Sequence, residues 1–134
     1  MVQADSSSGR ANRSSISMKP IIAITAGDVA GIGPEVILRA MTEPAILSVC
    51  HPVLIGHPDV FRRAADIFGI KIALQEVSSE SHAPDCFQAD VISAAASHRV
   101  PCLNPFTDDV LAVPPCRVSR EAGDAAYRYL DAAI

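Results

Sequence analysis

The sequence predicts an α/β fold: a three-layer α/β/α arrangement around a parallel sheet that is incomplete within this chain. Three observations carry that reading. A short, uncharged, β-branched run, Pro20-Ile21-Ile22-Ala23-Ile24-Thr25, leads through a glycine-rich loop into a helix. Strand and helix patterns then alternate in the order β-α-β-α-β, as in layered sheets with right-handed crossovers. The chain ends on a serine-capped amphipathic helix, Ser119 to Ala133.

The first run has the composition of a strand buried on both faces. The loop Gly27-Asp28-Val29-Ala30-Gly31-Ile32-Gly33-Pro34-Glu35 comes next, with three glycines in seven residues. Glycine lets the backbone turn sharply and approach a ligand closely. Pro34 suits a first helical turn, where its missing N–H costs nothing. The segment after it sets Val36, Ile37, Ala40 and Met41 on one helical face. Free N–H groups at this helix start favour an anion. A Walker-type phosphate loop is excluded because no lysine precedes the helix. The dinucleotide fingerprint also fails: Val36 stands where a small residue is needed, and Pro52–Leu54 lacks the acidic residue. A β–α turn whose glycines serve geometry alone remains open at this point.

Val53-Leu54-Ile55-Gly56 reads as a second buried strand. Pro58-Asp59 starts a helix with Phe61, Ala64, Ala65 and Phe68 at helical spacing, and Gly69 ends it. Alternation of Ile70, Ile72 and Leu74 predicts a third strand within Ile70 to Val77, one face more buried than the other. Ser78 to Pro84 reads as loop, and Phe87 to Ala96 as strand or helix. Pro101, Pro105, Pro114 and Pro115 interrupt any longer element, and no boundary is assigned between residues 78 and 117. In the last helix Ser119 is the N-cap and Glu121 lies in the first turn. Ala122, Ala125, Ala126, Tyr129, Leu130 and Ala133 form its apolar stripe. Gly123 costs an isolated helix about 1 kcal/mol, which close packing would explain. Tyr127 and Tyr129 read as packing and surface residues.

Length allows one domain. Residues 1–17 are serine-rich and poor in apolar groups, so they are expected to form a disordered tail before a folded part at 18–134. That tail has no apolar centre for a secretory signal. Asp5 and the lack of an amphipathic face argue against a transit peptide; Met18 is then the expected functional start. A net charge of −4 leaves no electrostatic footprint for nucleic acid or an anionic membrane, and no run is apolar enough to span a bilayer. Cys50, Cys86, Cys102 and Cys116 contain no Cys-x-x-Cys pair, so they read as reduced, mostly buried thiols. His51 and His57 flank the second strand at opposite ends and so cannot share a metal. With His82 and His98 they read as loop histidines without a ligand role. Asp28 is placed to bind loop N–H groups or a ligand hydroxyl, and Glu35 to favour the helix dipole.

Met18-Lys19-Pro20 through Glu35, with Thr25, Gly27-Asp28 and Ala30-Gly31-Ile32-Gly33-Pro34-Glu35, closely resembles the amino-terminal signature of 4-hydroxythreonine-4-phosphate dehydrogenases. Val118 to Leu130 resembles the family's serine-capped helix. The resemblance spans Met18 to Ile134, roughly the first third of a family member, and implies an isocitrate/isopropylmalate dehydrogenase-like fold. The opening loop of those relatives is a shorter Gly-Asp-Gly-Ile-Gly-Pro-Glu.

The resemblance implies oxidation of the secondary alcohol of 4-hydroxythreonine 4-phosphate, or a related four-carbon hydroxy-acid phosphate, with decarboxylation of the β-keto acid formed. It implies NAD or NADP, a divalent metal (zinc, magnesium or cobalt), a cytoplasmic homodimer, and a cleft between two α/β domains. Gly27, Asp28, Gly31 and Gly33 are the positions it assigns to a loop lining that cleft near the cofactor or substrate. The family's metal-binding histidines, Gly-His-Thr-Glu motif and phosphate-contacting basic residues lie beyond the final helix, so no catalytic or metal residue is carried over. Val29 stands where the family has proline, which should loosen the loop. This chain alone is therefore expected to be inactive. The alternative is a non-catalytic remnant, or a small interaction module, that keeps the β–α scaffold.

Overall fold

The computed structural model describes residues 19–78, 84–105 and 110–134. The expected tail at 1–17, His82 and most of the loop expected at Ser78 to Pro84 lie outside the described residues. Strand β1 is Ile21–Thr25, succeeded by helices α1 (Gly33–Met41) and α2 (Pro44–Val49). Strand β2 (His51–Ile55), helix α3 (Pro58–Phe68) and strand β3 (Leu74–Val77) come next. Helix α4 (Pro84–Ala96), strand β4 (Val100–Leu103), a 3-10 turn at Val110–Ala112 and helix α5 (Arg120–Ala132) complete the order.

The four strands form one parallel sheet in the order β1-β2-β4-β3. Right-handed crossovers then put α1 and α3 on one face and α4, whose connection runs the other way along the sheet, on the opposite face. The packing agrees: α1 lies against α3, α4 covers β2, β3 and β4, and α5 lies against β1 and β2. The expected α/β layering is therefore present. Its core joins Val53, Leu54 and Ile55 of β2 to Leu38, Phe61, Val91, Cys102 and Tyr129.

Five readings need correction. β1 is an edge strand, and Ile22 is 46% exposed; the β-branched run describes a strand, but its burial depends on sheet position, which composition does not encode. In α1 the buried residues are Pro34, Leu38 and Met41, while Val36 points outward, because the helix starts at Gly33 and its inward stripe runs i, i+4, i+7 from Pro34. The third strand begins only at Leu74, so Ile70 and Ile72 precede it and pack against the core from outside the ladder. In α5, Ala122, Ala125 and Tyr129 are buried as expected, but Leu130 is exposed. Gly123 is exposed too, and a Cβ there would meet nothing within 4 Å, so close packing does not account for it.

Residues 84–103 fill the region that had no assigned boundaries. α4 is a helix whose apolar groups surround it, with Val91 buried and Ile92 exposed, so periodicity gave no clear face. β4 carries Pro101 in the sheet interior, where proline normally breaks a ladder. Strand geometry explains the exception. His51 N–H points to β1 (Pro20 O, 2.8 Å) and Gly56 N–H to β4 (Leu103 O, 2.9 Å), so the nitrogen of Pro52 faces β4. Val100 N–H points to β3 (Ala73 O, 2.8 Å), so the nitrogen of Pro101 faces β2. The β2–β4 ladder begins only at Leu54↔Cys102, beyond both prolines, and no bond is lost.

Cys50 and Cys102 are buried, whereas Cys86 and Cys116 are exposed, so only half of the thiols match the expected burial. Burial pushes the Cys102 thiol up to about 12 from its ordinary 9.0, with Glu76 adding to the rise and Arg62 opposing it. The folded state thus holds a proton that the unfolded chain releases. Its contribution to stability is complete below pH 9.0 and lost as pH rises toward about 12. Stability of the native chain should fall across that window more steeply than stability of Cys102→Ala, measured by urea unfolding at each pH; parallel profiles would contradict this burial. Gly123→Ala should raise unfolding stability by about 1 kcal/mol, since the residue gains helix propensity and meets no neighbour; a loss would show that the glycine is packed.

Candidate functional site

The loop from β1 to α1 sits at the carboxyl end of the sheet. Ala26 N–H donates to Ile55 O (2.8 Å), extending the β1–β2 ladder one residue past Thr25. Gly27 then turns the chain in the left-handed region (φ +66°), which a side chain would resist. Asp28 Oδ1 accepts from Ala30 N–H (2.9 Å) and Asp28 O accepts from Gly31 N–H (3.0 Å), closing a tight turn. One of the two roles foreseen for Asp28, binding loop N–H groups, is present in the geometry. The chain folds back so far that a Cβ on Gly33 would overlap the Ala26 carbonyl oxygen. Val29 and Ala30 are buried in the core, so Val29 anchors the loop by burial where loosening was expected.

Helix α1 opens on Ile32 as its cap residue, with no side-chain cap and with Pro34 in the first turn. Its amino end carries Glu35, whose carboxylate also accepts from Arg39 Nε (2.9 Å). The Glu35 charge already complements the helix dipole there and opposes a second anion close to it.

Arg63 is the residue that sequence reasoning missed. From α3, its Nη1 donates to Leu111 O (3.3 Å) and Val113 O (3.4 Å), and Nη2 to Val29 O (3.5 Å). Cys116 N–H donates to Ala30 O (2.8 Å), with Cys116 itself at φ +63°. Together these bonds strap the glycine loop to residues 110–116. The available signal was a cation on the flank of an amphipathic helix, next to the buried Ala64; its partners are backbone carbonyls, which sequence does not mark. A cavity of about 450 Å³ lies between the loop, α1, α3 and this strap, with Gly31, Ile32, Glu35, Arg63, Phe68 and Cys116 in its wall. Of the four loop positions singled out, only Gly31 reaches it.

The described histidines are dispersed. His57 Nδ1 accepts from Asp59 N–H (3.2 Å) and caps α3, His51 opens β2, and His98 sits at φ 54° between α4 and β4. Among the described residues, no three His, Cys, Asp or Glu side chains group to hold a metal ion. Among them, too, no helix is long and apolar enough to cross a membrane.

The loop geometry separates two glycines by cost. Gly33→Ala should lower stability by about 1–3 kcal/mol, because backbone must move to admit the methyl group. Gly31→Ala, with ordinary contact to Asp28, should stay within about 0.5 kcal/mol. Equal effects in denaturant unfolding would contradict the fold-back.

No protein-family model matches the chain. The 4-hydroxythreonine-4-phosphate dehydrogenase of Trichlorobacter lovleyi is 34% identical over 116 residues, covering 84% of this chain and 31% of that protein. The D-threonate 4-phosphate dehydrogenase of Cupriavidus necator is 31% identical over 115 residues, covering 86% of this chain and 31% of its own length. The crystal structure of a 4-hydroxythreonine-4-phosphate dehydrogenase from Burkholderia phymatum superposes with a TM-score of 0.67 at 29% identity, covering 86% of this chain and 32% of that one. The chain thus spans about a third of the length of the relatives it matches. In sequence and in fold, it is related to the 4-hydroxythreonine-4-phosphate dehydrogenases over that third.

Proposed function

We propose that this chain supplies the glycine-loop portion of an NAD- or NADP-dependent dehydrogenase acting on 4-hydroxythreonine 4-phosphate or a related four-carbon hydroxy-acid phosphate. In this reading the protein is a cytoplasmic homodimer, and Gly27, Asp28, Gly31 and Gly33 form the loop that lines its ligand cleft. The observation that carries it is the strand–fold-back–helix unit at residues 21–41. It stands at the carboxyl end of a parallel sheet, where α/β proteins bind ligands, in a chain related to dehydrogenases of phosphorylated substrates.

When bound, the dinucleotide supplies the hydride acceptor. The residues of this chain fit a positioning role beside it. The fold-back at Gly33 presents main chain without side-chain obstruction, and exposed Asp28 retains lone pairs beyond the bond to Ala30 for a ligand hydroxyl. The described residues do not by themselves fit the family's divalent metal. One observation favours the non-catalytic alternative: Asp28 Oδ1 closes the turn on Ala30 N–H, a role that a purely structural loop also requires.

A thermal-shift titration of the purified chain with NAD and NADP, with and without magnesium or zinc, separates the two. Saturable stabilisation by a dinucleotide, reaching about 2.7 kcal/mol at a hundredfold excess over Kd and weakened in Asp28→Ala, is the expected result. A flat response to both dinucleotides would overturn the reading in favour of the scaffold alone.

A further inference from the structure

The opposite end of the sheet holds a larger cavity, of about 660 Å³, formed where the strands begin. Its origin lies in the two interior prolines. Pro52 and Pro101 lie diagonally, one residue apart in register, across the seam between β2 and β4; no ladder bond joins the strands at that level, and both line the cavity. Met41, Ile72 and Val91 add apolar wall from α1, the approach to β3, and α4. The volume is that of a small-molecule pocket, which typically spans about 300–1,000 Å³.

The charge of this wall is one-sided. Lys19, Lys71 and Arg99 line it together with His51 and His98, and no Asp or Glu does so among the described residues. In a chain of net charge −4, that concentration of cations departs from the average surface. Lys19 Nζ donates to Leu47 O (2.8 Å), which fixes it at the mouth with further N–H donors to spare. Lys71 and Arg99 form no ion pair with a described carboxylate. An apolar floor beneath unpaired cations matches one ligand chemistry, an aliphatic body carrying one anionic head group. The head would take charge-assisted hydrogen bonds at the rim while the chain lies on the proline floor.

We propose that this cavity binds an amphipathic organic anion, a short-chain alkyl phosphate or carboxylate, at a site separate from the glycine loop. The probe is octyl phosphate, titrated calorimetrically into the full chain below its micelle-forming concentration, with inorganic phosphate and octanol as the two half-ligands. Saturable binding of octyl phosphate is expected, at least tenfold tighter than either half. The Lys71→Gln/Arg99→Gln double variant should weaken it at least fivefold. Ala96→Trp, which fills the mouth from an exposed position without removing charge, should weaken it as well. Both variants should keep the native circular dichroism and the native response to NAD, so the outcome is independent of the proposed dehydrogenase role. Absence of saturable binding, equal binding of inorganic phosphate, or affinity unchanged in both variants would overturn the proposal.

Discussion

The approach of Gly33 to the carbonyl of Ala26 is the constraint on which the rest of this structure depends. It forces the chain leaving β1 to reverse within seven residues as α1 begins. Helix direction, the burial of Leu38 and Met41, and the contact of α1 with α3 are consequences of that start. Glycine is required there for space, and at Gly27 for a positive φ, so the loop uses the missing side chain in two different ways. Asp28 then closes the turn from within, and Arg63 holds it from outside.

The parallel sheet carries a second constraint. Its central strands β2 and β4 are nearly fully buried, so every backbone donor there needs a partner. Placing Pro52 and Pro101 diagonally across the seam, before the ladder begins, leaves neither residue with an N–H that needs a partner there. The strands close only at Leu54 and Cys102, and the open end becomes a cavity. The same residue type that breaks a strand elsewhere therefore shapes the space at the base of the sheet. At the other end, Gly56 N–H and Ala26 N–H continue the ladder outward and hold the glycine loop at the sheet's rim.

Much of this was legible in the sequence where local chemistry decides the outcome. Pro34 in a first turn, Gly69 as the left-handed end of α3, and Ser119 as the cap of α5 all act within a few residues. The loop glycines were identified by spacing and by family resemblance, and the structure gives Gly27 and Gly33 separate steric reasons. What was not legible depends on contacts distant in sequence. The edge position of β1 is set by strand order, and the outward turn of Val36 by where α1 begins. Pro101 looked like a breaker because the direction of its missing N–H depends on the register with β2. Arg63 binds carbonyls 34 to 50 residues away, for which no side-chain motif exists. The short helix α2 was missed because nothing in Pro44–Val49 is buried, so no apolar stripe announces it.

The central claim is a backbone geometry, and solution NMR of the isotope-labelled chain tests it most directly. Slow exchange of the Ala26 and Gly31 amide protons, held by Ile55 O and Asp28 O, with a Gly27 φ in the positive range, is the expected result. Fast exchange at both amides, with Gly27 at negative φ and residues 26–33 extended, would contradict the fold-back and remove the basis for placing a ligand-facing loop there.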